Sequence, residues 1–230
     1  MDNKNVLIIL AHPETKSFTS SMAGECEKYF KSRNCQVTIR DLYGLNFNPV
    51  AGPGDFTKLS DKGKEHFQLR VEQKEGLSSG TIKDDIKTEI EFVEKADLIL
   101  FVFPLWWSSC PAIMKGYMER VLMHGFAYDY ETNSVLNYGL LKGKQVKLLI
   151  TTGRSEDMYS PQGPHKMSVE ERIEHLTYGT LAFCGLNVYK TFIAHGVHHE
   201  IPKEKLQSIL EDLKKDLAGI DNEKMLYQMS

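Results

Sequence analysis

Three short stretches of this chain combine residue types suited to anionic or aromatic ligands, and each follows an apolar run. The first reads Ala11-His12-Pro13-Glu14-Thr15-Lys16-Ser17-Phe18-Thr19 and leads into a helical pattern. It has no glycine, so the G-x-G-x-x-G turn of a nicotinamide-binding Rossmann domain is absent. Ser17, Thr19 and Lys16 instead furnish a helix N-terminus where amides, hydroxyls and a cation can hold a phosphate. The plainer alternative makes Ser17 an N-cap and His12 a turn residue. The second stretch, Phe103-Pro104-Leu105-Trp106-Trp107-Ser108-Ser109-Cys110-Pro111, carries both tryptophans of the chain. Tryptophan at a polar strand end is costly unless it covers something, and a planar cofactor is a natural partner, with packing against the next helix as the alternative. The third, Thr151-Thr152-Gly153-Arg154-Ser155, continues through a Pro-bounded loop holding Tyr159 and His165. Gly153 lets backbone amides approach a ring, and Tyr159 and His165 add two donors.

These stretches need a scaffold that brings them to one edge. The apolar runs Asn5 to Ala11, Ala96 to Pro104 and Val146 to Thr152 show little polar alternation, as expected of parallel strands covered on both faces. Val37 to Arg40 and Val188 to Ala194 are weaker strand candidates. Helical patterns lie between them: Phe18, Met22, Cys26 and Tyr29; Ile86, Ile90 and Val93; Ile113, Tyr117 and Val121; Val169, Ile173, Leu176 and Thr180. Leu206, Ile209, Leu210, Leu213 and Leu217 mark a last helix. The alternation predicts an α/β fold: a doubly wound sheet of about five parallel strands with helices on both faces. Its ligands would bind beyond the carboxyl ends of the strands. Leu42 to Thr81, rich in Asn, Pro and Gly at its start, reads as a long binding excursion or flap. One domain over residues 1–220 is expected, followed by a surface tail at 221–230.

With 28 basic and 31 acidic residues in 230, the net charge of -3 is too balanced for a nucleic-acid footprint. It is also far from the acidity of a small electron carrier, so the partner expected is a small molecule. Cys26, Cys35, Cys110 and Cys184 form no C-x-x-C pair, which fits a reducing compartment. The first apolar run is shorter than a signal-peptide core or a membrane span. A cytoplasmic protein without membrane partners is the expectation.

At these residues the sequence resembles the NAD(P)H:quinone oxidoreductase (DT-diaphorase) family of flavodoxin-like flavoenzymes, particularly its shorter members. The matching stretches are AHPETKSF at Ala11, DLYGLNFNPV at Asp41, FPLWWSSCPAIMKGYMERVL at Phe103, GFAYDY at Gly125, TTG at Thr151, MYSPQGPH at Met158 and FCGL at Phe183. The resemblance implies FAD rather than FMN, with phosphate and ribityl contacts near His12, Ser17, Phe18, Thr19 and Gln68. Ring contacts would come from Pro104, Leu105, Trp106, Trp107, Ser108, Thr151, Thr152, Gly153 and Arg154, with Glu119 helping at the adenosine end. Tyr159 and His165 would sit at the flavin pyrimidine edge as catalytic donors. Trp107 and Phe183 would wall the substrate, and Phe126, Ala127, Tyr128, Asp129 and Tyr130 would complete the pocket, the two tyrosines coming from the second subunit of a homodimer. The chain departs from the family at Arg154, where members often have glycine, and at Ser108, where they often have phenylalanine. Tyr178 and Ala182 stand where metal-binding relatives carry histidines, so no metal is expected.

The implied reaction is two-electron transfer from NAD(P)H through the flavin to a quinone, with ping-pong kinetics. An azo- or nitroreductase would use the same flavin site. From other classes come a flavodoxin-type electron carrier and an idle regulatory subunit on the same fold.

Overall fold

In the computed structural model, which describes residues 1–229, the apolar runs become the strands of one parallel sheet. The chain runs through β1 (Asn5–Leu10), α1 (Phe18–Ser32), β2 (Gln36–Asp41), α2 (Asp61–Glu65), α3 (Leu69–Ser79), α4 (Asp84–Lys95), β3 (Leu98–Pro104) and α5 (Ala112–Val121). It continues through β4 (Gln145–Thr151), α6 (Val169–Arg172), α7 (Glu174–Leu176), a π-helical segment (Thr177–Ala182), β5 (Asn187–Val188), β6 (Phe192–Ala194) and α8 (Lys203–Gly219). The order is β2-β1-β3-β4-β5, with β6 also paired to β4. This is the flavodoxin-like winding, whose direction reverses between β1 and β3.

Alternate residues of each strand feed two cores. Leu7, Ile9, Phe101, Phe103, Leu148 and Ile150 face Val93 of α4 and Met114, Tyr117 and Val121 of α5. Val6, Ile8, Leu10, Leu100, Val102 and Leu149 face Met22, Cys26 and Phe30 of α1 and Ile209, Leu213 and Leu217 of α8. Every residue of β3 is buried, which is why its sequence lacks alternation. One position breaks the pattern: Lys147 in β4 is fully buried. Its ammonium lies 3.2 Å from Asp216 and 2.8 Å from Glu223.

Three sequence expectations need correction. The single strand Val188 to Ala194 is two short strands, β5 and β6. The excursion from Leu42 to Thr81 is not a bare loop, since it holds α2 and the eleven-residue α3. The helix through Val169, Ile173, Leu176 and Thr180 is two short α-helices and the π segment, which shifts the register so that Thr177 and Leu181 are buried and Thr180 is not. Beyond α8 the C-terminal segment runs along the sheet edge. The Val188 amide donates to the Tyr227 carbonyl at 2.8 Å, and the Leu226 amide donates to the Val188 carbonyl at 2.7 Å. No helix of the described residues is long and apolar enough to cross a membrane.

Candidate active site

The first two loops leave the sheet at the β1/β3 switch, and the third follows from neighbouring β4. Ser17 caps α1 by accepting from the Ser20 amide at 3.1 Å, so the N-cap reading of that residue holds. The amides of Phe18 and Thr19, ahead of it in the first turn, have no hydrogen-bond acceptor among the described residues. They are available to an anion, where the helix dipole adds to their pull. The buried Thr19 hydroxyl meets the Thr151 hydroxyl at 2.9 Å, locking this turn to the end of β4. His12 accepts from the Glu14 amide at 3.0 Å, and its ring lies 6.1 Å from that of Trp106.

The loop after β3 is a tight reverse turn. Trp106 and Ser109 exchange both backbone hydrogen bonds at 2.9 Å, leaving Trp107 and Ser108 as the two central residues with φ of +50° and +62°. That conformation suits glycine or asparagine; for a bulky L-residue it costs about 1 to 2 kcal/mol. Strain of this kind persists where the surroundings over-determine it, commonly at functional sites. Its effect is to stand Trp107 fully exposed at the strand edge, with neither its amide nor that of Ser108 bonded within the described residues.

Past β4, the Thr152 hydroxyl donates to the Arg154 carbonyl at 2.8 Å and shapes the turn. A Cβ on Gly153 would meet only the Val197 carbonyl, at 3.8 Å, so nothing in the chain itself demands glycine there. The open space there leaves room for a ligand to approach the backbone. The amides of Gly153 and Arg154 also lack partners among the described residues. Gly163 closes the following loop: a Cβ would sit 2.4 Å from the Asp157 carbonyl. That closure stacks Tyr159 on His165, with ring centroids 4.6 Å apart and planes 8° from parallel.

Four unbonded turn amides, an anion-binding helix end, an outward tryptophan and a stacked Tyr-His pair therefore share one edge. The residues present fit a flavin: amides for phosphate and ring heteroatoms, and an indole for the ring face.

The aromatic substrate residues form a second cluster. Phe183 packs against Tyr128 (5.4 Å) and Tyr130 (5.8 Å) of its own chain, so Phe183 belongs with the two tyrosines. Among the described residues no ring contact joins this cluster to Trp107. Burial raises the Tyr128 phenol above its ordinary range. Asp129 is pulled down to about 2, chiefly by the hydrogen bond from Lys74. Its oxygens also take the Glu131 amide and lie 3.3 Å from His124, so it fixes the tyrosine loop. Ala127 is buried core, and Phe126 is half-buried against the cluster around Phe56 and Ile82. Gln68 is exposed at the start of α3, and Glu119 is ion-paired with Lys115. Tyr178 packs on Tyr227 and Ala182 is buried; the described residues contain no metal-holding cluster.

Sequence reasoning missed three residues here. His195, just past β6, lies 3.3 Å from the Thr152 hydroxyl and 6.0 Å, ring to ring, from Tyr159. The rule that pointed to the other strand ends would have found it had β6 been read as ending at Ala194. Arg172 and His175 reach the Trp107 turn, through Ser108 and Ser109 respectively, across more than sixty residues of sequence. Burial lowers the His195 pKa, partly offset by Glu156 and Glu170. The folded state thus resists a proton that the unfolded chain takes up below about pH 6.5, and stability contributed by neutral His195 is lost as pH falls through that value. His195→Gln should flatten this part of the pH dependence. Urea midpoints at pH 8 and pH 5.5 check it; equal drops in parent and variant would remove the assignment.

A flavodoxin-like α/β protein with its ligand edge at the switch point is the class that this fold and site define. A family model described as a flavodoxin-like fold matches residues 4–217. The rat NAD(P)H dehydrogenase (quinone) 1 is 38% identical over 224 residues, covering 97% of this chain and 80% of the relative. The human ribosyldihydronicotinamide dehydrogenase (quinone) is 41% identical over 189 residues, covering 82% and 80%. A solved Klebsiella pneumoniae structure, assigned as a quinone reductase, superposes with a TM-score of 0.90 at 25% identity, covering 99% of this chain and 90% of that one. The chain belongs to the NAD(P)H:quinone oxidoreductase family of flavodoxin-like enzymes.

Proposed function

We propose that this enzyme binds FAD at the β1/β3 edge and reduces quinones with NAD(P)H by ping-pong kinetics. The observation that carries the reading is the set of unbonded amides in the α1 turn and the two strand-end turns, beside a tryptophan held outward in a strained conformation. By family resemblance, Gln68 in the excursion and Glu119 on α5 would help to hold the adenosine half. Bound FAD would supply hydride acceptance from nicotinamide and two-electron delivery to the quinone. The chain's part is orientation and charge. Trp107 offers an apolar wall for a planar acceptor, and Tyr159 and His165 donate hydrogen bonds where negative charge gathers at the pyrimidine edge. Family resemblance supports a homodimer in which one subunit's Tyr128, Tyr130 and Phe183 cluster covers the other's Trp107 wall.

Protein stripped of ligand should be titrated with FAD and with FMN, then assayed with NAD(P)H and a simple naphthoquinone. Stoichiometric FAD binding and parallel double-reciprocal lines are expected. Stoichiometric FMN with no FAD affinity would replace the cofactor assignment. Tight flavin binding without nicotinamide oxidation would favour an electron carrier.

A further inference from the structure

We propose that Arg172 is a positioning residue that clasps the acceptor wall to the flavin-edge loop. Its Nη1 donates to the Ser108 hydroxyl at 2.8 Å and its Nη2 donates to the His165 carbonyl. Arg172 Nε is buried and has no hydrogen-bond partner among the described residues, so the planar fork is held by its two end nitrogens alone. A parallel strut runs through His175, whose Nε2 lies 2.9 Å from the Ser109 hydroxyl and whose Nδ1 lies 2.9 Å from the Arg172 carbonyl. Carbonyl oxygens only accept, so Nδ1 donates to the Arg172 carbonyl.

Both loops so joined contain residues in the left-handed region: Trp107 and Ser108 on one side, Lys166 immediately after His165 on the other. Neither turn relaxes freely while one rigid guanidinium spans them, because a planar fork fixes distance and angle together. Arg172 thereby sets where Trp107 stands relative to Tyr159 and His165, and so the width of the gap in which a ring is received. The catalytic meaning rests on the proposed flavin site; the clasp itself does not.

The test uses Arg172→Met, Arg172→Lys and the minimal Ser108→Ala in the full-length protein. Hydrogen exchange without flavin reads the clasp directly. In Arg172→Met, amide exchange at Trp106, Ser109 and His165 should quicken about tenfold or more, the equivalent of losing a charge-assisted hydrogen bond from local opening. Arg172→Lys, with one compact donor group, should restore protection in one loop at most, and Ser108→Ala should loosen the tryptophan turn alone. Stopped-flow on flavin-loaded protein then reads position. Arg172→Met should raise quinone KM and slow flavin reduction, and Ser108→Ala should raise quinone KM by a smaller factor. Parent-like exchange in Arg172→Met overturns the clasp. Faster exchange spread through β1, β3 and β4, with Ser108→Ala at parent rates, also overturns it, by marking a general folding role. Normal exchange in a parent that takes no flavin would sink the proposed function and leave the clasp to be decided by exchange.

Discussion

Flavin reduction by nicotinamide is expected to slow about tenfold to a hundredfold in Tyr159→Phe and in His165→Gln, the range typical of losing one positioned donor or acid. Both residues hang on the loop closed by Gly163, and their rings are stacked, so they present one polar face to one place. A group that meets charge only as it develops accelerates the step without tightening the ground state. Flavin content should therefore stay at the parent level. The double variant should lose less than the product of the singles, since both act on the same charge. Stopped-flow that follows bleaching with nicotinamide and recovery with quinone separates the two half-reactions. Bleaching at the parent rate in both single variants, with flavin fully bound, would reduce the pair to ordinary loop residues.

The largest effect on stability is expected at Arg120. It is 2% exposed on α5, with Nε 2.9 Å from Asp55, Nη1 2.8 Å from the Asn48 carbonyl and Nη2 3.0 Å from Asp85. The guanidinium also lies 5.1 Å from the Phe47 ring. Asp55 is itself 3% exposed, so Arg120→Met leaves a buried carboxylate uncompensated. A loss of about 3 to 5 kcal/mol follows from breaking a buried pair on one side. Adding Asp55→Asn to the variant should recover part of it, because the orphaned charge is the main cost. Urea unfolding of the parent and the two variants checks this; a single-variant loss under about 1 kcal/mol would mean that water reaches Asp55. Since Asn48 and Asp55 lie at the start of the excursion, the same variant should also weaken adenosine-dependent binding more than binding of the shorter FMN.

Much of the fold was legible because its central strands are buried on both faces. β1, β3 and β4 announce themselves as apolar runs, and their carboxyl ends locate the loops. What the sequence hid has physical causes. Helix α3 buries Glu72, Gln73 and Gly76 rather than an apolar stripe, so hydrophobic periodicity is silent there. Glu72 is buried because it accepts from the Ser60 amide and hydroxyl, a local circuit that composition does not reveal. The π segment adds a residue to a helical turn and moves Phe183 out of the 3.6-residue pattern. For the proposed site, Trp107, Tyr159 and His165 could be named as candidates from residue type and loop position. The left-handed turn under Trp107 could not, since neither Trp107 nor Ser108 is a residue that such turns favour. His195, Arg172 and His175 matter through partners far away in the chain.

The pairing of Tyr227 with Val188 bears on how the protein behaves in a crowded solution. β5 is two residues long and lies at the border of the sheet, where free amides and carbonyls would invite another chain to dock as an extra strand. The C-terminal segment occupies that border in antiparallel sense and is fastened where Glu223 meets Lys147. It acts as a selvedge, finishing the cloth so that it does not fray into its neighbours. Chains cut before Glu223 would carry an open border and a buried Lys147 ammonium left with Asp216 as its one carboxylate partner, and their first symptom would be turbidity at high concentration rather than a slower reaction.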